Sequence, residues 1–239
     1  MSSMAYTGAM PFAAEASASE RVEFIRKTYV HLGLAVLAFI GIEAFLLNTS
    51  LAAQLTALMF GGKYNYLIFI GLFMFVSWIA ETWARSSASR TTQYMGLGLY
   101  VAIEAVLFVP LLYIVQNSPM FGTELIVTAA IVTLGIFGAL TAFVMITGMD
   151  FSFLRMALIV VGIGAFALCL CGAIFGFSLG LGFTIGMIVF ACGYILYDTS
   201  NVLHHYHTDQ YVAASLALFA SVALLFWYVL RLLMSLKRD

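Results

Sequence analysis

Long apolar runs separated by short polar turns are the main pattern of this chain. Each run holds about 20 mostly apolar residues, the length that an α-helix needs to cross the hydrocarbon core of a bilayer. The pattern therefore predicts an all-α membrane protein with seven spanning helices. Their approximate bounds are 28–47, 64–83, 94–115, 124–147, 154–175, 180–200 and 212–234.

The connections between the runs are short and carry turn residues, for example 61–63 (GGK), 117–119 (NSP) and 147–150 (TGMD). Short connections make successive helices antiparallel neighbours and leave no room for a separate soluble domain. Residues 1–24 are interpreted as a flexible N-terminal tail and 25–239 as the membrane domain. Because the N-terminus lacks the charged start and apolar stretch of a signal peptide, the first span must act as the insertion signal.

Composition agrees with a membrane protein and excludes several function classes. Of the 239 residues, 64% are hydrophobic and only 9% are charged, with a mean hydropathy of +1.06. Soluble domains carry about 25% charged residues. A net charge of −1 gives no basic field for nucleic acid. The three cysteines, an odd number, lie in apolar runs without metal-ligand spacing, and no catalytic signature is present, so we expect no enzyme and no cofactor.

Lysine and arginine positions predict a cytoplasmic N-terminus, since cytoplasmic loops carry an excess of both. The cations that fit this orientation are Arg21, Arg26, Lys27, Arg85, Arg90 and Arg155. Seven spans place Arg231, Lys237 and Arg238 on the outer side, whereas six spans plus a re-entrant hairpin would place them inside. We favour seven spans, because the segment 212–234 is long enough to cross.

Several ionisable residues fall inside the predicted spans, where a charge at the bilayer centre costs about 2.5–3.5 kcal/mol on insertion scales. Glu104 lies near the midplane, roughly 15 Å deep at 1.5 Å per helical residue. Glu81 lies close to a span end and is expected to reach the interface. The full set is Glu43, Glu81, Glu104, Asp198 and Arg231, with Arg85 at a span edge.

We hypothesise two ion pairs, because the members of each pair lie at a similar depth in their spans. Asp198 and Arg85 both lie near the cytoplasmic ends of their spans, and Glu43 and Arg231 both lie in the outer half of theirs. The Glu43–Arg231 pair would hold helices together rather than take part in ion conduction. The histidines of the segment 204–207 (HHYH) either bind a metal or belong to a solvated loop, and the loop is favoured.

Three stretches of the chain resemble the Bax inhibitor family of membrane proteins. The clearest is 194–199 (YILYDT), followed by 215–219 (SLALF) and 230–233 (LRLL). Residues 93–105, which include Gln93-Tyr94 and Glu104-Ala105, are similar to the family's third span. Residues 147–152 (TGMDFS) are similar to its loop after span four. The resemblance covers roughly residues 25–235.

The resemblance implies a compact seven-helix bundle with the C-terminal helix at its centre. Several family members leak calcium down its gradient. In the bacterial members that do so, an aspartate on span six and another on span seven share a proton, and an arginine at the end of span two engages them. Asp198 matches the first aspartate and Arg85 the arginine, but Ser221 stands where the second aspartate would be, and Leu224 replaces a usual asparagine.

The prediction is a passive, pH-modulated calcium leak that uses Asp198 with Arg85, lined also by Ser221 and Glu104. Asp198 is the candidate calcium ligand. The alternative is a non-transporting regulator that binds a membrane protease or another membrane protein through the tail and helix faces. In either case we expect an integral protein of the bacterial inner membrane.

Overall fold

The computed structural model describes residues 11–62, 64–86 and 89–238, and these residues form eight α-helices. The helices are α1 (Ala18–Leu47), α2 (Ser50–Phe60), α3 (Asn65–Ala84), α4 (Arg90–Asn117), α5 (Thr123–Thr147), α6 (Leu154–Phe175), α7 (Gly180–His204) and α8 (Tyr211–Leu236).

Seven of the eight helices are long and apolar enough to cross a membrane, which confirms the predicted number of spans. The exception is α2, which lies in the predicted connection between the first two spans. With 11 residues it is too short to cross about 30 Å of hydrocarbon. It instead packs beside α1, α3 and α4, with Ala52 and Met59 buried.

Helix α1 begins at Ala18, inside the segment predicted as a flexible tail. Ser17 and Glu20 form a reciprocal capping box at its start. The Ser17 hydroxyl oxygen accepts from the Glu20 backbone N–H, and the Ser17 N–H donates to the Glu20 carboxylate at 3.1 Å. This S-x-x-E signature is readable in the sequence. The predicted boundary at residue 24 is therefore corrected, because the cap starts the helix seven residues earlier than that boundary implies.

Residues 11–17 pack against the loop between α7 and α8. The Ala13 N–H donates to the Tyr206 carbonyl oxygen at 2.9 Å, and Ala13 is fully buried. The rings of Phe12 and His207 stack with centroids 4.1 Å apart. This part of the predicted tail is thus held in place, while residues 1–10 of the tail lie outside the described residues.

The connections gather at two opposite ends of the bundle. At one end, here called the N-terminal end, the Arg90 guanidinium donates to the Asp209 carbonyl oxygen, and the Phe151 N–H donates to the Ser200 hydroxyl. At the other end, the Lys237 ammonium donates to the Phe121 carbonyl oxygen. Since the two ends of the described chain lie at opposite ends of the bundle, the geometry favours seven crossings over six and a hairpin. The cytoplasmic orientation of the N-terminus stays a prediction.

Helix α8 has the largest buried share of the seven spans. In its most apolar window 72% of the residues are buried, against 50% or less in each of the others. It packs against α1, α3, α4, α5 and α7. The last helix therefore contributes to several helix interfaces at once, although its position at the exact centre of the bundle stays a prediction.

Candidate functional site

A cavity of about 690 Å³ lies between α3, α4, α6, α7 and α8. Along α3 it is lined from Tyr66 to Arg85, a distance of roughly 28 Å at 1.5 Å per helical residue. It therefore follows nearly the whole length of one membrane span. The titratable and hydroxyl side chains that line it include Glu81, Arg85, Glu104, Asp198, Ser221 and Arg231.

Asp198 and Ser221 join α7 to α8 across this cavity. The Ser221 hydroxyl donates to the Asp198 Oδ2 at 2.5 Å. Both side chains are buried, with 8% and 3% of their surface exposed. A hydroxyl thus satisfies one carboxylate oxygen but brings no second acidic group, so in this protein the two positions form a hydrogen-bonded pair rather than a pair of carboxyls.

Arg85 caps the end of α3 and is exposed, at the N-terminal end of the same cavity. Within the described residues, no ion pair joins Arg85 to Asp198. The two residues line the same cavity but form no direct ion pair, so the hypothesis of a direct pair is corrected. Glu81, one helical turn before Arg85, is exposed and also lines the cavity.

Glu104 lies near the middle of α4 and is 6% exposed. Its Oε2 atom is buried and accepts no hydrogen bond from any described residue. Tyr100 and Phe108, one turn away on either side, line the cavity with it. The carboxyl therefore adds an unsatisfied polar group to the cavity wall, on a different helix from Asp198.

A family model described as "Inhibitor of apoptosis-promoting Bax1" matches residues 21–238, nearly the whole chain. The chain belongs to the Bax inhibitor family. The resemblance found in the motifs of spans three, six and seven is thereby confirmed.

Curated relatives of this Bax inhibitor family chain come from fungi, plants, animals and bacteria. Bax inhibitor 1 of Schizosaccharomyces pombe is 34% identical over 63% of this chain and 55% of its own length. A BI1-like protein of Arabidopsis thaliana is 34% identical over 46% of this chain and 45% of its own. The chain thus spans about half the length of these two relatives. An uncharacterised Pseudomonas aeruginosa protein is 29% identical over 87% of each chain. No solved structure matches the chain.

The predicted ion pair between Glu43 and Arg231 does not form in this Bax inhibitor family protein. Both Glu43 carboxyl oxygens are buried, and no described residue donates a hydrogen bond to them. Glu43 lines a second cavity with Phe226, whereas Arg231 lines the first. Phe226 and Arg231 are five positions apart, so their side chains point in directions that differ by roughly 140° around α8. The helix therefore stands between the two predicted partners, which matching depth could not reveal.

The histidines of the α7–α8 region have separate roles. His205 Nε2 lies 3.2 Å from Asp150 Oδ2, His204 Nδ1 lies 3.0 Å from the Ser200 carbonyl oxygen, and His207 stacks on Phe12. In the part of the chain that the structure describes, no group of three histidine, cysteine or acidic side chains could hold a metal ion. The three histidines therefore contact different partners, and the choice of a solvated loop over a metal site stays a prediction.

Asp150, which in the sequence stands out only as part of a family motif, forms a small polar cluster. Its Oδ1 accepts from the Ser152 backbone N–H at 2.8 Å and from the Ser200 hydroxyl at 3.1 Å. The Ser152 N–H, with smaller contributions from the Ser200 hydroxyl and His205, lowers the pKa of Asp150 below its usual value. The cluster fixes the α5–α6 loop to α7. The signal for it was the TGMDFS turn, whose Gly148 ends α5 at φ 62°.

Proposed function

We propose that this Bax inhibitor family protein is a passive, pH-modulated calcium leak pathway through the first cavity. The observation that carries the proposal is one cavity that follows nearly the whole of α3 and is lined by Glu104 and Asp198. Carboxylate oxygens are among the hard oxygen ligands that Ca²⁺ prefers. With few such groups, an ion binds weakly enough to leave again, as conduction requires.

The Asp198–Ser221 hydrogen bond supports a closing role for this pair. It joins α7 to α8 and occupies an oxygen that a passing cation would otherwise use. When the bond opens, the carboxylate is free to face the cavity. Arg85, at the end of the same cavity, places a positive charge at its N-terminal end.

Calcium flux into proteoliposomes tests the proposal at several pH values from acidic to mildly alkaline. We expect wild type to leak calcium and Asp198→Asn to lower the flux by about tenfold, which corresponds to roughly 1.4 kcal/mol. Glu43→Gln is the matched control, because it removes a buried carboxyl from the other cavity. If calcium flux with wild type is no greater than into empty liposomes at every pH, the leak proposal is wrong. If Asp198→Asn leaks like wild type, Asp198 lies outside the pathway.

A second candidate is a non-transporting regulator that binds a membrane protease or another membrane protein. The description of the matching family as an inhibitor of an apoptosis-promoting protein favours it. Removal of residues 1–10 discriminates the two, because it leaves the packed segment 11–17 intact. A regulator that uses the tail would lose its effect on the lifetime of a membrane-protease substrate, whereas a leak pathway would keep its calcium flux.

A further inference from the structure

A second cavity, of about 490 Å³, lies between α1, α4, α5 and α8. Its volume falls in the range of small-molecule pockets, about 300–1,000 Å³. The wall is mostly apolar. The polar side chains that line it are Glu43, Asn48, Gln116, Thr123 and Thr133.

Two buried polar groups of this wall have no partner among the described residues. Glu43 is 4% exposed and neither carboxyl oxygen accepts a hydrogen bond, and Thr133 is 2% exposed with an unpartnered hydroxyl. An unpartnered buried polar group is costly, and a buried charge more so. A ligand that brings a complementary polar group into the cavity would remove this cost.

The cavity is open sideways, toward the surface that lipid covers. Four apolar residues line it and are also more than half exposed: Ile40, Val127, Ile131 and Leu134. They lie on spanning helices α1 and α5, so this exposed side faces hydrocarbon. A ligand that reaches the cavity by this route must itself dissolve in the bilayer.

The polar and apolar parts of the cavity are arranged along its length. Glu43 lies four residues before Leu47, the end of α1, or roughly 6 Å from it, and Asn48 and Gln116 lie at the same end. Val36 lies about 16 Å from that end, at a depth where the wall is apolar apart from the Thr133 hydroxyl, ten positions along α5 from Thr123. The site thus suits a molecule with one polar head and one apolar chain.

We propose that this cavity binds a single-chain lipophilic amine, with its ammonium group at Glu43 and its alkyl chain along the apolar wall. An amine group can form an ion pair with Glu43 and donate hydrogen bonds to its two oxygens, whereas a fatty acid would bring a second acidic group beside the first. Calcium takes six to eight oxygens, and the described residues hold no group of three metal-binding side chains. The proposal does not depend on ion conduction.

Binding of radiolabelled dodecylamine tests the site, with the protein in nanodiscs of zwitterionic phosphatidylcholine and empty nanodiscs as the background. We expect saturable binding to wild type and at least about tenfold weaker binding of dodecanol, because the alcohol carries no charge. Glu43→Gln should weaken amine binding by a similar factor. Glu104→Gln, which changes a buried carboxyl in the other cavity, should leave it unchanged.

Ala130→Trp gives an independent test, because Ala130 lines the second cavity and the indole would fill it while Glu43 stays in place. We expect this variant to lose amine binding. Folding of each variant is checked by circular dichroism and size-exclusion chromatography. Equal binding of amine and alcohol, or unchanged amine binding in folded Glu43→Gln or Ala130→Trp, overturns the proposal and leaves Glu43 a core carboxyl.

Discussion

The two cavities lie on opposite faces of α8 and differ in their polar groups. Ala220, Ser221 and Arg231 line the first cavity, and Val222 and Phe226 line the second. Ala223 borders both. The first cavity has acidic side chains from three helices, α3, α4 and α7, whereas the second has a single carboxyl on α1.

This difference separates two kinds of site. An ion that crosses a membrane must exchange its water for a succession of oxygen ligands. A ligand that stays bound needs one strong polar contact and a large apolar wall. Along α8 the first cavity is lined by the small residues Ala217, Ala220 and Ser221, and then by Leu224, Trp227, Tyr228 and Arg231. Phenylalanines at 219 and 226 contribute to the wall of the second cavity.

The largest expected effect comes from filling each cavity in turn. Ala220→Trp places an indole in the first cavity next to Ser221, and we expect calcium flux to fall by at least about tenfold, because the pathway is obstructed. Ala130→Trp fills the second cavity and should change flux by less than about twofold. Fluorescent calcium uptake by proteoliposomes measures both. If the two variants reduce flux equally, the functional division between the cavities is wrong.

Ser221→Asp sharpens the comparison within the first cavity. Two carboxyl groups would then face each other where one hydroxyl now donates to Asp198. Two carboxyl groups that close cannot both ionise without a large cost, because their negative charges repel each other. The pair would share a proton, so we expect calcium flux to depend more steeply on pH than in wild type. Ser221→Asn has a similar size and no charge, and it should keep the wild-type pH profile. A flat profile in Ser221→Asp would contradict the proton-sharing argument.

Gly96 holds α4 against α3, a wall of the first cavity. A Cβ at Gly96 would lie 2.4 Å from the Ala84 backbone nitrogen and 2.5 Å from the Ala80 carbonyl oxygen. Gly96→Ala must therefore separate the helices, and we expect a loss of about 1–3 kcal/mol in stability. Gly98→Ala is the control, because its added Cβ meets nothing within 4 Å. Thermal unfolding in detergent compares them, and equal melting temperatures would contradict this account of the packing.

The number and the approximate bounds of the spans could be predicted because their signal is local. About 20 apolar residues between turn residues predict a span, and the seven predicted segments match α1 and α3 to α8. Two features were missed although their signals were present. The S-x-x-E capping box at Ser17 marks the true start of α1, and the apolar segment 50–60 was long enough for a short helix.

The candidate site could be predicted only in part, because pairing depends on helix rotation as well as depth. Asp198 and Ser221 come together as their family positions implied. Glu43 and Arg231 match in depth but lie on opposite sides of α8. The second cavity had no sequence signal. It is a gap between α1 and α5 that depends on how both helices pack against α4 and α8.

The smallest expected effect concerns a contact that connects the walls of the two cavities. Asp150, after α5, bonds to Ser200 on α7. Because the folded state lowers the pKa of Asp150, its contribution to stability is present above the unfolded value near 3.8 and is lost as pH falls through the folded pKa. Asp150→Asn should therefore lower stability at neutral pH, and the difference from wild type should shrink below about pH 4.

The stability lost in Asp150→Asn should be at most about 0.5 kcal/mol. Asp150 and His205 are both nearly half exposed, so water screens their attraction. Thermal unfolding in detergent at neutral and acidic pH measures it. Asp209→Asn is the control, because it removes the same charge from the α7–α8 loop. There the Asp209 backbone carbonyl, not the carboxylate, accepts from Arg90. A difference that grows on acidification would mean that the Asp150 carboxylate opposes the fold, and the α5–α6 loop would then be held by the Phe151–Ser200 bond and by the packing of Phe151 against Val144 and Leu203.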